Sequence, residues 1–105
     1  MSIWLTDMKH NPSETPQLAS EASAIALNFL AFLASDQPRL ERFLALTGMT
    51  GHDLRRHIES PVFHGHLLDY ALSDESLLLA FAAAMELAPE AIGRMRRHLP
   101  GAAPA

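Results

Sequence analysis

The sequence predicts an all-α fold, a compact bundle of five to six short helices. Three observations carry that reading. Apolar residues recur at three- and four-residue intervals through most of the chain, and cap residues followed by proline or acidic groups punctuate it. No stretch alternates at period two for long enough to make a strand. One segment organises the expectation: between Leu77 and Ala88 the only polar residue is Glu86. A helix over Ser73–Leu87 is therefore apolar nearly all round and is expected to lie inside a shell built by the others.

With 105 residues, 49% of them hydrophobic and 19% charged, the chain has the composition of one globular domain, expected over 16–100. It contains no cysteine, so disulfides and thiolate metal sites are excluded, which suits a reducing cytoplasm. The formal charge of −4 argues against nucleic-acid binding by charge alone. Met1–Asp7 lacks the basic and apolar regions of a signal peptide. The longest apolar runs, Ala22–Ala34 and Leu77–Ala88, are interrupted or too short for a span of about 20 residues. The sequence reads as that of a soluble, cytoplasmic protein with no membrane partner.

Residues 1–15 carry Trp4 and Leu5 without a sustained period. A frayed arm is favoured there over one docked through Trp4. A first helix is expected from Thr15-Pro16, a cap residue with proline in the first turn, to Ala34. Leu18, Ala22, Ile25, Phe29 and Phe32 form its stripe, widened by Leu30 and Leu33.

Ser35-Asp36 caps a second helix with Pro38 in its first turn. Leu40, Phe43, Leu44 and Thr47 make its inner face, and Gly48 supplies the left-handed residue that ends it. Thr50 and Asp53 stand at capping-box spacing at the start of a short, polar third helix anchored by Leu54 and Ile58. Ser60-Pro61 opens a fourth helix, with Phe63, Leu67, Leu68, Tyr70 and Ala71 inward and Gly65 weakening it by about 1 kcal/mol.

Ser73 caps the fifth helix. Pro89-Glu90 opens a sixth with Ile92, Met95 and Leu99 inward, stopped by Pro100. Residues 101–105 read as a disordered tail.

Shifting the chain by 38 residues superimposes Ser35-Asp36 on Ser73-Asp74, Leu40 on Leu78, Phe43 on Phe81 and Leu54 on Ile92. Upstream, Ile25 falls on Phe63, Phe29 on Leu67, Leu30 on Leu68 and Phe32 on Tyr70. The matches lie on caps and inward positions. They predict two three-helix units, 22–58 and 60–96, packed with pseudo-twofold symmetry, so that Leu78 and Phe81 meet Leu40 and Phe43 or their neighbours. The competing explanation is that any two amphipathic helix pairs with Ser-Asp caps look alike.

The order F-L-A-L-T-G-M-T-G-H-D-L-R, S-P-V-F, S-D-E-S-L-L-L-A-F-A and L-A-P-E-A-I resembles a small family of alphaproteobacterial proteins catalogued as a domain of unknown function. The resemblance covers roughly residues 18–99 and implies a soluble, all-helical bacterial protein. It brings no catalytic residues.

Candidate chemistry is sparse. His64 and His66, two apart on a helix, point about 200° away from each other, and His52 and His57 diverge by about 140°; no metal site and no cofactor are expected. His66, Asp69 and Tyr70 share a helix face but bring no nucleophile or cleft signal, so no catalytic residues are assigned and no enzyme is expected. Arg55, Arg56 and His57, with Arg94, Arg96, Arg97 and His98, form a candidate basic surface patch, and Leu40–Ile58 has a helix–turn–helix look.

The sequence therefore favours a non-enzymatic protein-interaction or adaptor module that binds an unknown protein partner or a second copy of itself. A nucleic-acid-binding helix–turn–helix protein is the alternative. Protonating all six histidines moves the formal charge from −4 to +2, so solubility or self-association is expected to change between about pH 5 and 7.

Overall fold

The computed structural model describes residues 14–101, within which six helices and no strand are found. These are α1 (Glu14–Ala34), α2 (Gln37–Thr47), α3 (Gly51–His57), α4 (Pro61–Leu72), α5 (Glu75–Met85) and α6 (Pro89–Arg96). The expected arm containing Trp4, and 102–105 of the expected tail, lie outside the described residues.

Local chemistry sets the boundaries. Gly48 ends α2 at φ 74°, in the left-handed region. Thr50 and Asp53 form a complete capping box: Asp53 N–H donates to Thr50 Oγ1 (3.1 Å), and Thr50 N–H donates to the Asp53 carboxylate (2.9 Å). Ser60 caps α4 by accepting from Phe63 N–H, with Pro61 in the first turn. Two expected caps are corrected. The first helix begins at Glu14, so Thr15 lies within it. The α5 cap is Asp74, which accepts from Leu77 N–H at 3.2 Å, while Ser73 Oγ turns back to donate to Tyr70 C=O at 2.7 Å.

The helices repeat at the 38-residue interval. α2 and α5 are both 11 residues long, and each starts and stops 38 residues from the other. Their N-cap backbones coincide, Asp36 at φ −135°, ψ 104° and Asp74 at φ −134°, ψ 103°. Ser35 Oγ donates to Phe32 C=O at 2.7 Å just as Ser73 does to Tyr70. Glu86, opposite Gly48 in the alignment, takes the same left-handed turn at φ 57°.

The hub is the pairing of α1 with α4, the most extensive in the fold. Ala22, Ala26, Phe29 and Leu33 from α1 meet Phe63, Leu67, Leu68 and Ala71 from α4, all of them buried. The small Ala22, Ala26 and Ala71 let the two backbones approach; the larger residues fill the space beside them. α2 and α5 flank this pair and α6 closes it, while α3 belongs to none of the extensive helix pairs.

The apolar α5 is not the central helix. Only Phe81 and Ala82 are buried there, and Leu79 is 48% exposed. The α1–α4 pair already occupies the interior, so α5 contributes one stripe and presents its remaining apolar residues outward. α2 and α5 also do not meet as an extensive pair. Each instead sends its phenylalanine to the long helix of the other unit. Phe43 packs on Tyr70 (4.9 Å between ring centroids) and Phe81 on Phe32 (5.5 Å), a reciprocity that a pseudo-twofold relation produces.

Candidate functional site

Two polar side chains are buried among the described residues, His64 and Arg96. Burial of either without partners would be costly, and no buried nitrogen of either lacks a hydrogen-bond partner. Nε2 of His64 lies 2.7 Å from Ile58 C=O, which can only accept, so this nitrogen carries the hydrogen. Nδ1 lies 2.8 Å from Ser23 Oγ, a hydroxyl that can take either role in the bond. The imidazole thus ties α1 to the α3–α4 connection.

Arg96 makes a paired bond to Asp69, with Nε to Oδ1 at 2.7 Å and Nη2 to Oδ2 at 3.0 Å. Its Nη1 donates to Leu99 C=O (3.2 Å) and Pro100 C=O (3.0 Å). The guanidinium lies over Gly65, where a Cβ would come within 2.9 Å of Nη1 and 3.0 Å of Pro100 O. Gly65 is therefore a clearance that admits the arginine and the chain end, whatever it costs α4 in propensity.

Neither network has a counterpart in the first unit. At the 38-residue offset, His64 corresponds to Ala26, Gly65 to Leu27, Asp69 to Ala31 and Arg96 to Ile58. The symmetry is broken on one side, where an open groove of about 780 Å³ runs between α1 and the segment after α6. Ala19, Ser23, Ala24 and Leu27 form its α1 wall, and Leu99 and Pro100 the opposite wall. Pro61 closes one part of it, and Arg97 and His98 stand on its rim. His64 holds Ser23 and Arg96 holds Leu99 and Pro100, so both buried polar groups secure groove-lining residues.

The expected basic patch is divided. Arg96 is 6% exposed and belongs to the interior, because the Asp69 carboxylate and two carbonyls replace its water. Arg55, Arg56, His57, Arg94, Arg97 and His98 are exposed. Among the described residues Arg55, Arg56, Arg94 and Arg97 make no ion pair; the two ion pairs found are Arg39–Asp36 and Arg96–Asp69. The helix–turn–helix segment is present as α2, the Gly48 turn and the seven-residue α3, with His52, Arg55, Arg56 and Glu59 exposed.

The other candidate constellations separate. His64 is buried and His66 exposed on opposite sides of α4. Asp69 is engaged by Arg96 and Tyr70 packs on Phe43, so His66, Asp69 and Tyr70 form no shared network. Among the described residues no three of His, Asp and Glu gather in a metal-binding arrangement. A second, smaller pocket of about 200 Å³ lies beside Arg39, Arg42, Tyr70 and Asp74. Two of its polar groups are engaged: Arg39 pairs with Asp36 at 3.6 Å and lies over the Phe32 ring, and Asp74 caps α5.

A family model described as a protein of unknown function, DUF3572, matches residues 19–102. The chain belongs to the DUF3572 family. That match runs from the first groove residue, Ala19, past the last, Pro100, so the groove and both clasps lie within the family domain. No curated protein and no solved structure matches the chain.

The 21-residue α1 also contains an 18-residue stretch, Gln17–Ala34, that is long and apolar enough to cross a membrane by length and composition. The stretch contains the run Ala22–Ala34 and reaches Gln17 across the polar Glu21 and Ser20. Here its buried residues, among them Ala22, Phe29 and Leu33, belong to the shared core.

Proposed function

We propose that this DUF3572 protein is a non-enzymatic interaction module of the cytoplasm, in an alphaproteobacterial cell, and that the α1–α6 groove is where it docks a protein partner. The observation that carries the reading is the placement of the two buried polar groups. A core of this size is stable with apolar residues at such positions, and replacing buried ion pairs by apolar side chains is often neutral or stabilising. In this chain His64 and Arg96 both hold residues that line the groove. The groove's mixed lining, apolar in its walls with polar groups on its rim, matches the anatomy of protein contact sites.

Affinity capture from the native cell, compared across three variants, tests this. A partner retained by wild type and by Leu79→Asp, and lost with Ala24→Asp and Leu27→Asp, is the expected result. Equal capture by all three variants, or loss with Leu79→Asp alone, removes the groove from the reading.

The nucleic-acid alternative draws on Arg55, Arg56, Arg94 and Arg97, exposed arginines that make no ion pair among the described residues. It would operate through α3, with Arg55 and Arg56 toward the nucleic acid. Titration of a labelled duplex and a labelled RNA at low ionic strength decides it. No salt-dependent binding is expected, and binding weakened by Arg55→Glu and Arg56→Glu would restore the alternative.

A further inference from the structure

The groove differs in charge from the protein that carries it. The chain as a whole is acidic, at −4, yet among the described residues no carboxylate lines this groove, and the ionisable ones that do are Arg97 and His98. Neither makes an ion pair or a side-chain hydrogen bond among the described residues, whereas the adjacent Arg96 is fully engaged. The rim donors are therefore available to a ligand. Pro61, the first residue of the 12-residue α4, also lines the groove and brings that helix's positive end toward it. Leu27, Leu99 and Pro100 supply apolar walls, and about 780 Å³ exceeds what one side chain fills.

We propose that the groove receives an acidic, apolar segment of a partner polypeptide, its apolar side chains against Leu27 and Leu99 and its carboxylates at the Arg97–His98 end. The proposal rests on the docking reading given above and adds the chemistry of the partner. The apolar walls select a polypeptide with a hydrophobic stripe, and the rim rejects one whose flanking charges are lysine.

Two fluorescein-labelled synthetic peptides probe the full chain by anisotropy. They share one leucine–alanine face; the first carries glutamates on the opposite face and the second carries lysines. The acidic peptide is expected to bind at least about ten-fold more tightly, with the margin shrinking at high salt. Arg97→Glu with His98→Glu reverses the order. Leu27→Asp weakens both peptides, with circular dichroism confirming that the variant is folded.

Equal binding of the two peptides overturns the charge preference and leaves docking intact. Binding of neither, with groove-dependent capture from cells retained, overturns the acidic segment alone. Three other results also overturn the proposal by assigning another occupant. A dimer dissociated by Leu27→Asp in sedimentation points to a second copy. A blue-shifted Trp4 emission that Leu27→Asp moves to the red points to residues 1–13. Low-salt duplex binding abolished by Arg97→Glu points to nucleic acid.

Discussion

The ring of Phe43 stands edge-on to that of Tyr70, with centroids 4.9 Å apart and planes at 85°. At the 38-residue offset Phe81 meets Phe32, with centroids 5.5 Å apart, so each middle helix inserts one aromatic against the other unit's long helix. Phe81 also meets Phe29 edge-on at 5.1 Å. Each such ring pair contributes about 0.5–1.5 kcal/mol beyond its burial. Phe43→Leu and Phe81→Leu should each lower stability by about 1–3 kcal/mol. The double variant should depart from additivity if the two contacts are coupled through the α1–α4 pair, and urea unfolding measures both.

Glu86 holds the left-handed turn that Gly48 holds in the first unit. A side chain costs roughly 1 kcal/mol there. Glu86→Gly should therefore raise stability by about 0.5–1 kcal/mol, and Gly48→Ala should lower it by about 1 kcal/mol. Thermal melts of the two variants should move in opposite directions from the wild type.

Gly65 and Gly51 separate clearance from propensity. A Cβ at Gly65 would sit 2.9 Å from the Arg96 guanidinium, whereas at Gly51 the nearest atom is 3.8 Å away. Gly65→Ala should lose about 1–3 kcal/mol through displacement of Arg96 and the Leu99–Pro100 segment. Gly51→Ala, at the first residue of α3, should be neutral or stabilising by a few tenths of a kcal/mol. Amide exchange should rise at His98 and Leu99 in the first variant only.

Asp53 supplies the acid dependence. Hydrogen bonds from the backbone N–H and hydroxyl of Thr50 hold its carboxyl below the usual aspartate value. Because the folded value is the lower one, the stabilisation is present above the unfolded value of about 4 and is lost as pH falls through the folded value. Helix α3 should therefore loosen below about pH 4 before the α1–α4 pair does. Asp53→Asn should remove that acid-side change in the α3 amide exchange; an identical pH profile in the variant would contradict the assignment.

Much of the fold was legible because its boundaries are set by short-range chemistry. Thr50 with Asp53, Ser60 with Pro61, and Gly48 each act within one turn, and the sequence displays them directly. What was misjudged depends on partners distant in the chain. Composition showed that Ser73–Leu87 is apolar but not which stripe would be covered, and the interior went to α1 and α4. His64 finds Ser23 41 residues away, and Arg96 finds Asp69 27 residues away. A signal was present for both. His64 shares a helical stripe with Leu68 and Ala71, and Arg96 stands at core spacing from Ile92 and Leu99. A polar residue on an apolar stripe implies a buried partner, and Gly65 beside Arg96 marked the space it needs.

The most direct test of the groove as the docking surface is photo-cross-linking in the native cell. A benzophenone amino acid would be placed singly at Ser20 and at Leu27, which both line the α1 side of the groove, and, as a control, at Leu79. The account predicts a discrete heavier adduct from Ser20 and Leu27, containing a second protein, and none from Leu79. Adducts from Leu79 alone, or no adduct from either groove position, would contradict it.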